Sequence, residues 1–245
     1  GHDLTLDLTK VADLGADYSA YGIKANNKTT IVVDSNKTNP GKNGTITIKA
    51  KTLWSPSGDS GSKYTAAHGI AVGNFSQRFN KKVSEDLVKT TINADVVIEE
   101  LRGGSIKTTG ISSMDCSDLA INGRFTIKPG AISLMQWNRG DQSKTYGIYM
   151  IGSNNTISIT SADIDDSKNG SLSDLIKTDE SLWGGKTEKN VLRIGGGTLK
   201  VKENQKERYL ISAAKGFRTF INVNQDGSAI GISKADLQGT IRMDA

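Results

Sequence analysis

Short runs of alternating apolar and polar residues recur along the whole chain. Clear examples are Leu4-Thr5-Leu6-Asp7-Leu8, Arg124-Phe125-Thr126-Ile127 and Thr156-Ile157-Ser158-Ile159. Alternation with a period of two predicts half-buried β-strands, because successive side chains of a strand point to opposite faces. Turn signals such as Asn43-Gly44 and Asn122-Gly123 separate the runs. The pattern predicts an all-β protein built from many short strands.

A second pattern, a Gly-Ile pair followed by alternating residues, repeats over longer distances. The pairs begin at Gly22, Gly69, Gly110 and Gly147, which are 47, 41 and 37 positions apart. Barrels and sandwiches give no reason for such a period, whereas a β-helix lays each coil on the previous one. With about 20 residues per coil and two coils per repeat, the spacing predicts a parallel β-helix of about ten coils, each rising ~4.8 Å. The recurring glycines are expected at sharp bends or at positions with positive φ.

The composition agrees with a thin core and a large surface. Only 36% of the 245 residues are hydrophobic, less than is usual for a compact globule. Residues 1–245 are therefore expected to form a single elongated domain, as a fragment of a longer protein, with residues 1–2 as a tag remnant. The single cysteine, Cys116, excludes a disulfide framework and a multi-cysteine metal site. No signal peptide and no apolar run of about 18 residues are present, so we expect no membrane insertion.

The charge distribution argues against one class of partner. The net charge is only +5 and the lysines are scattered along the chain. A nucleic-acid-binding protein would show clustered arginines with interleaved aromatic residues. We therefore expect no nucleic-acid partner.

The repeated phrases resemble the passenger domains of bacterial autotransporters. The resemblance rests on runs such as Tyr146-Gly147-Ile148-Tyr149-Met150 followed by Asn155-Thr156-Ile157-Ser158-Ile159, and it covers roughly residues 20–235. It implies a right-handed, single-stranded parallel β-helix that is exported across an outer membrane to the bacterial surface or the extracellular space. The family includes adhesins, toxins and proteases, so the resemblance leaves the activity open.

The sequence gives little support for catalysis. Protease passengers carry a Gly-x-Ser-x-Gly nucleophile with a histidine and an aspartate, but the chain has only His2 and His68 and no serine in that frame. His68 occupies the repeat position of Tyr21 and Tyr146, so we expect it to stack rather than to react. Enzymes that process polysaccharides need clustered carboxylates near basic residues, and no acidic pair recurs beside a matching basic residue on a neighbouring coil.

Residues 165–173 partly match a calcium-binding loop. The twelfth position is Ile176, where the motif requires a bidentate glutamate, so a polar turn is expected instead. Taken with the weak signals for catalysis, this predicts a protein that is not an enzyme and that has no cofactor and no metal site.

Binding is expected on two irregular stretches, residues 74–91 and 163–190, which interrupt the repeats and are predicted to project as loops. They contain aromatic and basic side chains of the kind that anchor interfaces. Arg139-Gly140-Asp141 resembles the integrin-recognition motif and is a third candidate element. The candidate binding residues are Phe75, Arg78, Phe79, Lys81, Lys82, Arg139, Gly140, Asp141 and Trp183.

The sequence thus predicts a non-enzymatic, monomeric passenger that acts as an adhesin or virulence factor. Its expected partner is a host cell-surface protein, an integrin included, or a glycan. Two alternatives stay open: a polysaccharide-processing enzyme built on a β-helix, and an inert stalk that holds another domain away from the cell.

Overall fold

The computed structural model describes residues 3–7, 20–26, 28–33, 44–49, 67–73, 87–101, 107–130, 144–170, 172–179, 189–202, 208–213, 216–221, 236–238 and 241–243. Within these ranges all regular structure is β-strand, and no helix is long and apolar enough to cross a bilayer. The strands are β1 (Leu4–Asp7), β2 (Ala20–Ala25), β3 (Thr29–Val32), β4 (Thr45–Lys49), β5 (Ala67–Gly73), β6 (Val88–Asn93), β7 (Asp95–Leu101), β8 (Lys107–Met114), β9 (Ser117–Pro129), β10 (Lys144–Ile151), β11 (Thr156–Asp165), β12 (Asp174–Asp179), β13 (Asn190–Ile194), β14 (Gly197–Lys200), β15 (Tyr209–Ala213), β16 (Phe217–Ile221), β17 (Asp236–Gln238) and β18 (Ile241–Met243).

The strands form two sheets with parallel pairing. Sheet B has seven strands in the order β18-β15-β12-β10-β8-β5-β2, and sheet A has eleven. Sheet A consists of two ladders, which the long strands β9 and β11 share. Ladder A1 is β3-β6-β9-β11-β13-β16, and ladder A2 is β1-β4-β7-β9-β11-β14-β17. The chain leaves sheet B, crosses A1 and then A2, and returns to sheet B one layer further on, which is a β-helix-like arrangement.

The register shows that one Gly-Ile repeat is one complete layer. Ile23 pairs with Ile70, Ile70 with Ile111, and Ile111 with Ile148 as direct neighbours in sheet B. The prediction of two coils per repeat and about ten coils is therefore wrong. Each layer contains three strand passages, and its connecting segments add to its length. Seven strands of sheet B make six steps, or about 29 Å at the usual strand spacing.

The core consists of aligned aliphatic columns that run from layer to layer. β-Branched side chains suit such columns because they pack closely on a pleated surface. In sheet A the inward positions of ladder A2 include Ile48, Ile98, Ile127 and Ile164, all of which are buried. The corresponding column of sheet B is Ile23, Ile70, Ile111, Ile148, Ile176 and Ile211.

The recurring glycines face these sheet A isoleucines across the core. A Cβ atom added at Gly110 would lie 2.6 Å from the carbonyl oxygen of Gly147 and would also collide with Cδ1 of Ile127. Gly22 and Gly69 are equally crowded. None of these four glycines has a positive φ, so that part of the prediction is wrong. They are glycines because backbone and opposing side chain approach too closely for a Cβ.

The two predicted loops are shorter than the sequence suggested. Residues 88–91 belong to β6, and residues 163–165 are the end of β11. Residues 174–179 form β12, with Leu175 and Ile176 fully buried in the core. The repeat pattern does not reveal β12, because Leu175 stands where the earlier layers have glycine and the Gly-Ile phrase is therefore absent from this layer.

The outward face of ladder A2 carries charges of alternating sign. Lys128 Nζ lies 3.3 Å from Glu99 Oε1, and Arg124 Nε lies 3.2 Å from Oδ2 of Asp163, a diagonal neighbour on the next strand. Alternation places opposite charges next to each other at every step, which favours this register. The alternating column is Asp7, Lys49, Glu99, Lys128, Asp165 and Lys200, and Lys200 pairs with Gln238 of the last strand, β17.

Candidate functional site

The binding residues predicted from the sequence lie outside the described residues. They fall in three segments, 74–86, 131–143 and 180–188. The structure does define the strand ends between which these segments run. The residues concerned are Phe75, Arg78, Phe79, Lys81, Lys82, Arg139, Gly140, Asp141 and Trp183.

Two of the three segments begin and end at the same corner of the fold. Segment 74–86 lies between β5 and β6, and segment 180–188 between β12 and β13, so both connect sheet B to ladder A1. In the two intervening layers the same crossing is made by short turns. Three steps separate β5 from β12, which is about 14 Å. Segment 131–143 joins β9 to β10 at a different corner, from ladder A2 back to sheet B.

The corner between sheet B and ladder A1 is a stack of similar turns. Cys116, Asn154 and Lys189 have φ values of 55°, 59° and 58°, and Gly216 has a φ of 80°. Each stands directly before an aligned position of ladder A1, so the left-handed conformation recurs from layer to layer. The carboxylate of Asp115 accepts a hydrogen bond of 2.9 Å from the Ser153 amide in the next layer. The turns are thus fixed to one another.

A ladder of buried polar side chains supports the corner from inside. Asn155 Nδ2 donates to Ile151 O at 2.9 Å and to Asn190 Oδ1 at 3.0 Å. Asn190 Nδ2 in turn donates to Gly152 O at 2.7 Å, and Ser117 Oγ donates to Asn155 Oδ1 at 2.8 Å. Because buried amides are costly when unpaired, this bonded network holds the turns in one geometry.

A cluster of titratable side chains lies beside this corner, on the outer face of sheet B. The rings of Tyr146 and Tyr149 stack with centroids 4.9 Å apart, and both side chains are almost completely buried. Tyr149 Oη donates to Asp179 Oδ2 at 2.8 Å. Lys177 Nζ lies 3.3 Å from Asp179 Oδ1 and donates to Ser212 Oγ at 3.3 Å. Asp179 is the last residue of β12, immediately before segment 180–188.

Burial raises the pKa of both phenols. It raises the pKa of Tyr149 far above the usual range, and the Asp179 carboxylate raises it further. The pKa of Tyr146 is raised by burial first and then by Asp179 and Asp174. Both phenols, like any tyrosine, are protonated at neutral pH, and the raised pKa keeps them protonated into the alkaline range, with Tyr149 as a donor to Asp179. The relay from Tyr149 through Asp179 to Lys177 fixes the strand end from which segment 180–188 starts.

Two other sequence-level candidates have structural roles. His68 stacks on Tyr21 with centroids 5.3 Å apart, and its Nδ1 lies 2.7 Å from Thr109 Oγ1, so its predicted stacking role is confirmed. The partial calcium motif is a polar turn, as predicted. Within it the Ser167 amide donates to Asp165 Oδ1, and the amide of Leu172 donates to the buried carboxylate of Asp166. In the part of the chain that the structure describes, no group of three or more acidic, histidine or cysteine side chains could hold a metal ion.

The sequence reasoning missed the Tyr149, Lys177 and Asp179 cluster. These residues are 28 and 30 positions apart and share no motif. The signal that could have found them is the isoleucine column, since aligning Ile148 with Ile176 places Tyr149 opposite Lys177.

Comparison with known proteins gives no match for this chain, either to a protein family, to a curated protein or to a solved structure. Function is therefore inferred from sequence pattern and geometry.

Proposed function

We propose that this chain is a non-enzymatic passenger domain of a bacterial autotransporter that binds a host cell-surface protein or glycan. The fold in this proposal is a right-handed, single-stranded parallel β-helix with projecting loops. The Gly-Ile phrases and the layer-by-layer parallel pairing support it, and parallel strands joined by crossovers are right-handed in about 98% of cases.

The main support for the binding role is that segments 74–86 and 180–188 both connect sheet B to ladder A1, at the same corner of the fold. Their anchor points are about 14 Å apart on one edge of a hydrogen-bonded stack. A standard interface covers about 800 Å² on each partner, or roughly 30 Å across, so one partner can contact both segments. Aromatic and basic anchors on a rigid scaffold suit such a contact. The anchors are Phe75, Arg78, Phe79, Lys81, Lys82 and Trp183.

The tripeptide Arg139-Gly140-Asp141 belongs to a different corner and is treated as an independent contact. If this tripeptide binds an integrin, antibodies against integrins should block adhesion by the parent chain. They should no longer affect adhesion by the Asp141→Glu variant, because the longer carboxylate does not fit the integrin. The contacts of Arg78, Lys81 and Lys82 with an anionic glycan should weaken as salt is added.

The strand register shows which short turns can replace the two segments without changing the alignment of the layers. Gly73 pairs with Met114 and Val88 with Ser117, so residues 74–87 can be exchanged for a two-residue turn like Asp115-Cys116. Asp179 pairs with Ile151, and Asn190 stands opposite Asn155, so residues 180–189 can be exchanged for Gly-Ser-Asn. A matched control replaces residues 50–66, which connect ladder A2 to sheet B, with the sequence of residues 100–107.

We expect both corner replacements to retain the β-sheet circular dichroism of the parent and to reduce adhesion to cultured epithelial cells about tenfold each, roughly the loss of one interface anchor. The control should adhere like the parent. Full adhesion by both folded corner variants would contradict the proposal. A parent fragment that does not adhere at all would favour the stalk. Turnover of an acidic polysaccharide that is lost in an Asp179→Asn variant would favour the enzyme.

A further inference from the structure

The outer wall of ladder A1 carries an aromatic and basic patch near its last layers. On β13 and β16 the outward positions are occupied by Val191, Arg193, Arg218 and Phe220. Arg193 pairs with Phe220 across the two strands, and its guanidinium carbon lies 5.7 Å from the centroid of the Phe220 ring. Phe220 is 43% exposed, so much of its ring is open to solvent. We refer to Arg193, Arg218 and Phe220 as the A1 patch.

Acidic side chains on the described strands of ladder A1 do not balance the positive charge of the A1 patch. On ladder A2, bases alternate with acids, as in the pair of Lys128 with Glu99. Over the outward positions of the last three described layers of ladder A1, no carboxylate is present. The nearest acid in the Arg218 column is Asp118, three strands away and so about 14 Å distant. Exposed Lys189, which precedes β13, adds a third cation beside the patch.

We propose that the A1 patch binds a sulfated glycan chain. A guanidinium presents paired N–H donors that match the oxygens of a sulfate group, and the ring beneath Arg193 holds that side chain in place. The exposed Phe220 ring offers a flat apolar face for a sugar ring. The patch lies on the wall of ladder A1, and none of its three residues belongs to segments 74–86 or 180–188. The corner replacement of residues 180–189 removes the adjacent Lys189 but leaves the patch itself intact.

The test measures binding of a fluorescent heparin oligosaccharide to the whole chain in about 0.15 M salt. The double variant R193Q/R218Q should bind roughly tenfold more weakly, since two charge-assisted contacts are lost. The matched control R124Q/K128Q removes the same two charges from ladder A2 and should change the Kd less than twofold, because those cations are already paired with acids. Phe220→Leu keeps the apolar contact with Arg193 but loses the ring, and should weaken binding about threefold.

Three outcomes would overturn the proposal. Equal weakening in the two double variants would mean that only diffuse charge attracts heparin. Competition by poly-glutamate as strong as that by heparin would point to an acidic peptide instead. Failure of the parent chain to bind heparin would remove the site altogether. If R193Q/R218Q does not fold, Arg218→Gln alone supplies the same comparison against Arg124→Gln, because Arg218 is exposed.

Discussion

Gly110 shows how the layer spacing restricts a single residue. Its α-carbon faces Ile127 of the opposite sheet, and the neighbouring Gly147 carbonyl lies 2.6 Å from where a Cβ would be. The second contact is with backbone that is itself bonded into the sheet, so it cannot move aside as a flexible side chain would. The same crowding at Gly22 and Gly69 explains why the sequence repeats glycine at this position.

Gly110→Ala should therefore destabilise the fold by about 1–3 kcal/mol, the usual cost of overpacking. Urea unfolding followed by circular dichroism measures this. Adding Ile127→Ala should not restore stability, because the clash with the Gly147 backbone persists. Ser112→Ala on the same strand is the matched control. Its buried hydroxyl has no hydrogen-bond partner among the described residues, so removing it should cost little or nothing. A Gly110→Ala variant as stable as Ser112→Ala would contradict the packing argument.

Tyr149 gives the molecule a specific dependence on alkaline pH. Its phenol is protonated in the folded state because burial and Asp179 raise its pKa above the ordinary tyrosine value of 10.0. The unfolded chain loses that proton first as the pH rises, so this stabilisation is complete below pH 10 and declines above it. The expected slope approaches about 1.4 kcal/mol per pH unit for one proton.

The measurement is the urea midpoint of the parent and of Tyr149→Phe between about pH 8 and pH 11, a range that spans the ordinary tyrosine pKa of about 10. Tyr149→Phe lacks the bond to Asp179 and should be less stable at the lower end of this range, with a flatter decline at the upper end. The difference between the two curves cancels the titration of lysines. Parallel curves would show that Tyr149 ionises equally in both states.

Single residues were predictable from the sequence where they recur at a fixed place in the phrase. The sequence predicts a stacking role for His68 because it takes the place of Tyr21 before the Gly-Ile pair, and the ring contact confirms it. Tyr149, Lys177 and Asp179 were not predictable in this way, since only the three-dimensional register brings them together. The predicted binding residues, Arg139-Gly140-Asp141 among them, stay predictions.

At the level of the strand, the order of charges on ladder A2 acts together with the apolar columns to set register. A shift by one layer would place Glu99 beside an acid and Lys128 beside a base. The inward columns of ladder A2 are mostly aliphatic, with Phe125 as an aromatic exception, and they distinguish less well between layers than the outward charges, which differ at each step. Electrostatics therefore adds discrimination where packing is uniform.

Lys128→Glu should create a run of three acids between Glu99 and Asp165 and lower stability by roughly 0.5–1 kcal/mol, a modest effect because these groups are partly exposed. The loss should shrink as sodium chloride is raised to about 1 M, where charges are screened within ~3 Å. Lys128→Gln is the control and should lose less at low salt. A salt-independent loss equal in both variants would assign the effect to side-chain packing instead.

Most strands could be predicted from alternation alone, and β12 shows where that approach fails. The run Asp-Leu-Ile-Lys-Thr-Asp has two adjacent buried residues, Leu175 and Ile176, so it lacks a clean period of two. The earlier layers conceal the same irregularity because glycine fills the first of the two inward positions. Sequence periodicity identifies a strand only when both inward positions are recognised.

For the whole molecule, the sequence predicts that units repeat, but it does not predict how many strands each unit contains. The spacing of the Gly-Ile pairs correctly indicated stacked units, but it does not state how many strands each unit contains. Direct pairing of Ile70 with Ile111 shows a single layer where two coils were expected. The excess length lies in connecting segments, whose number of residues varies from layer to layer without altering the register of the strands.

This layered connectivity has a mechanical consequence. Tension applied between β2 and β18 acts across the strands of sheet B, so the hydrogen bonds of a terminal ladder break one after another instead of sharing the load. The stack should then peel from its ends at low force, one layer per event. Partners in adjacent layers are 28 positions apart at Ile148 and Ile176 and 47 apart at Ile23 and Ile70. Each event would lengthen the chain by roughly 95 to 160 Å at ~3.4 Å per residue. Because the layers contain different numbers of residues, the length of each step would identify the layer that has opened.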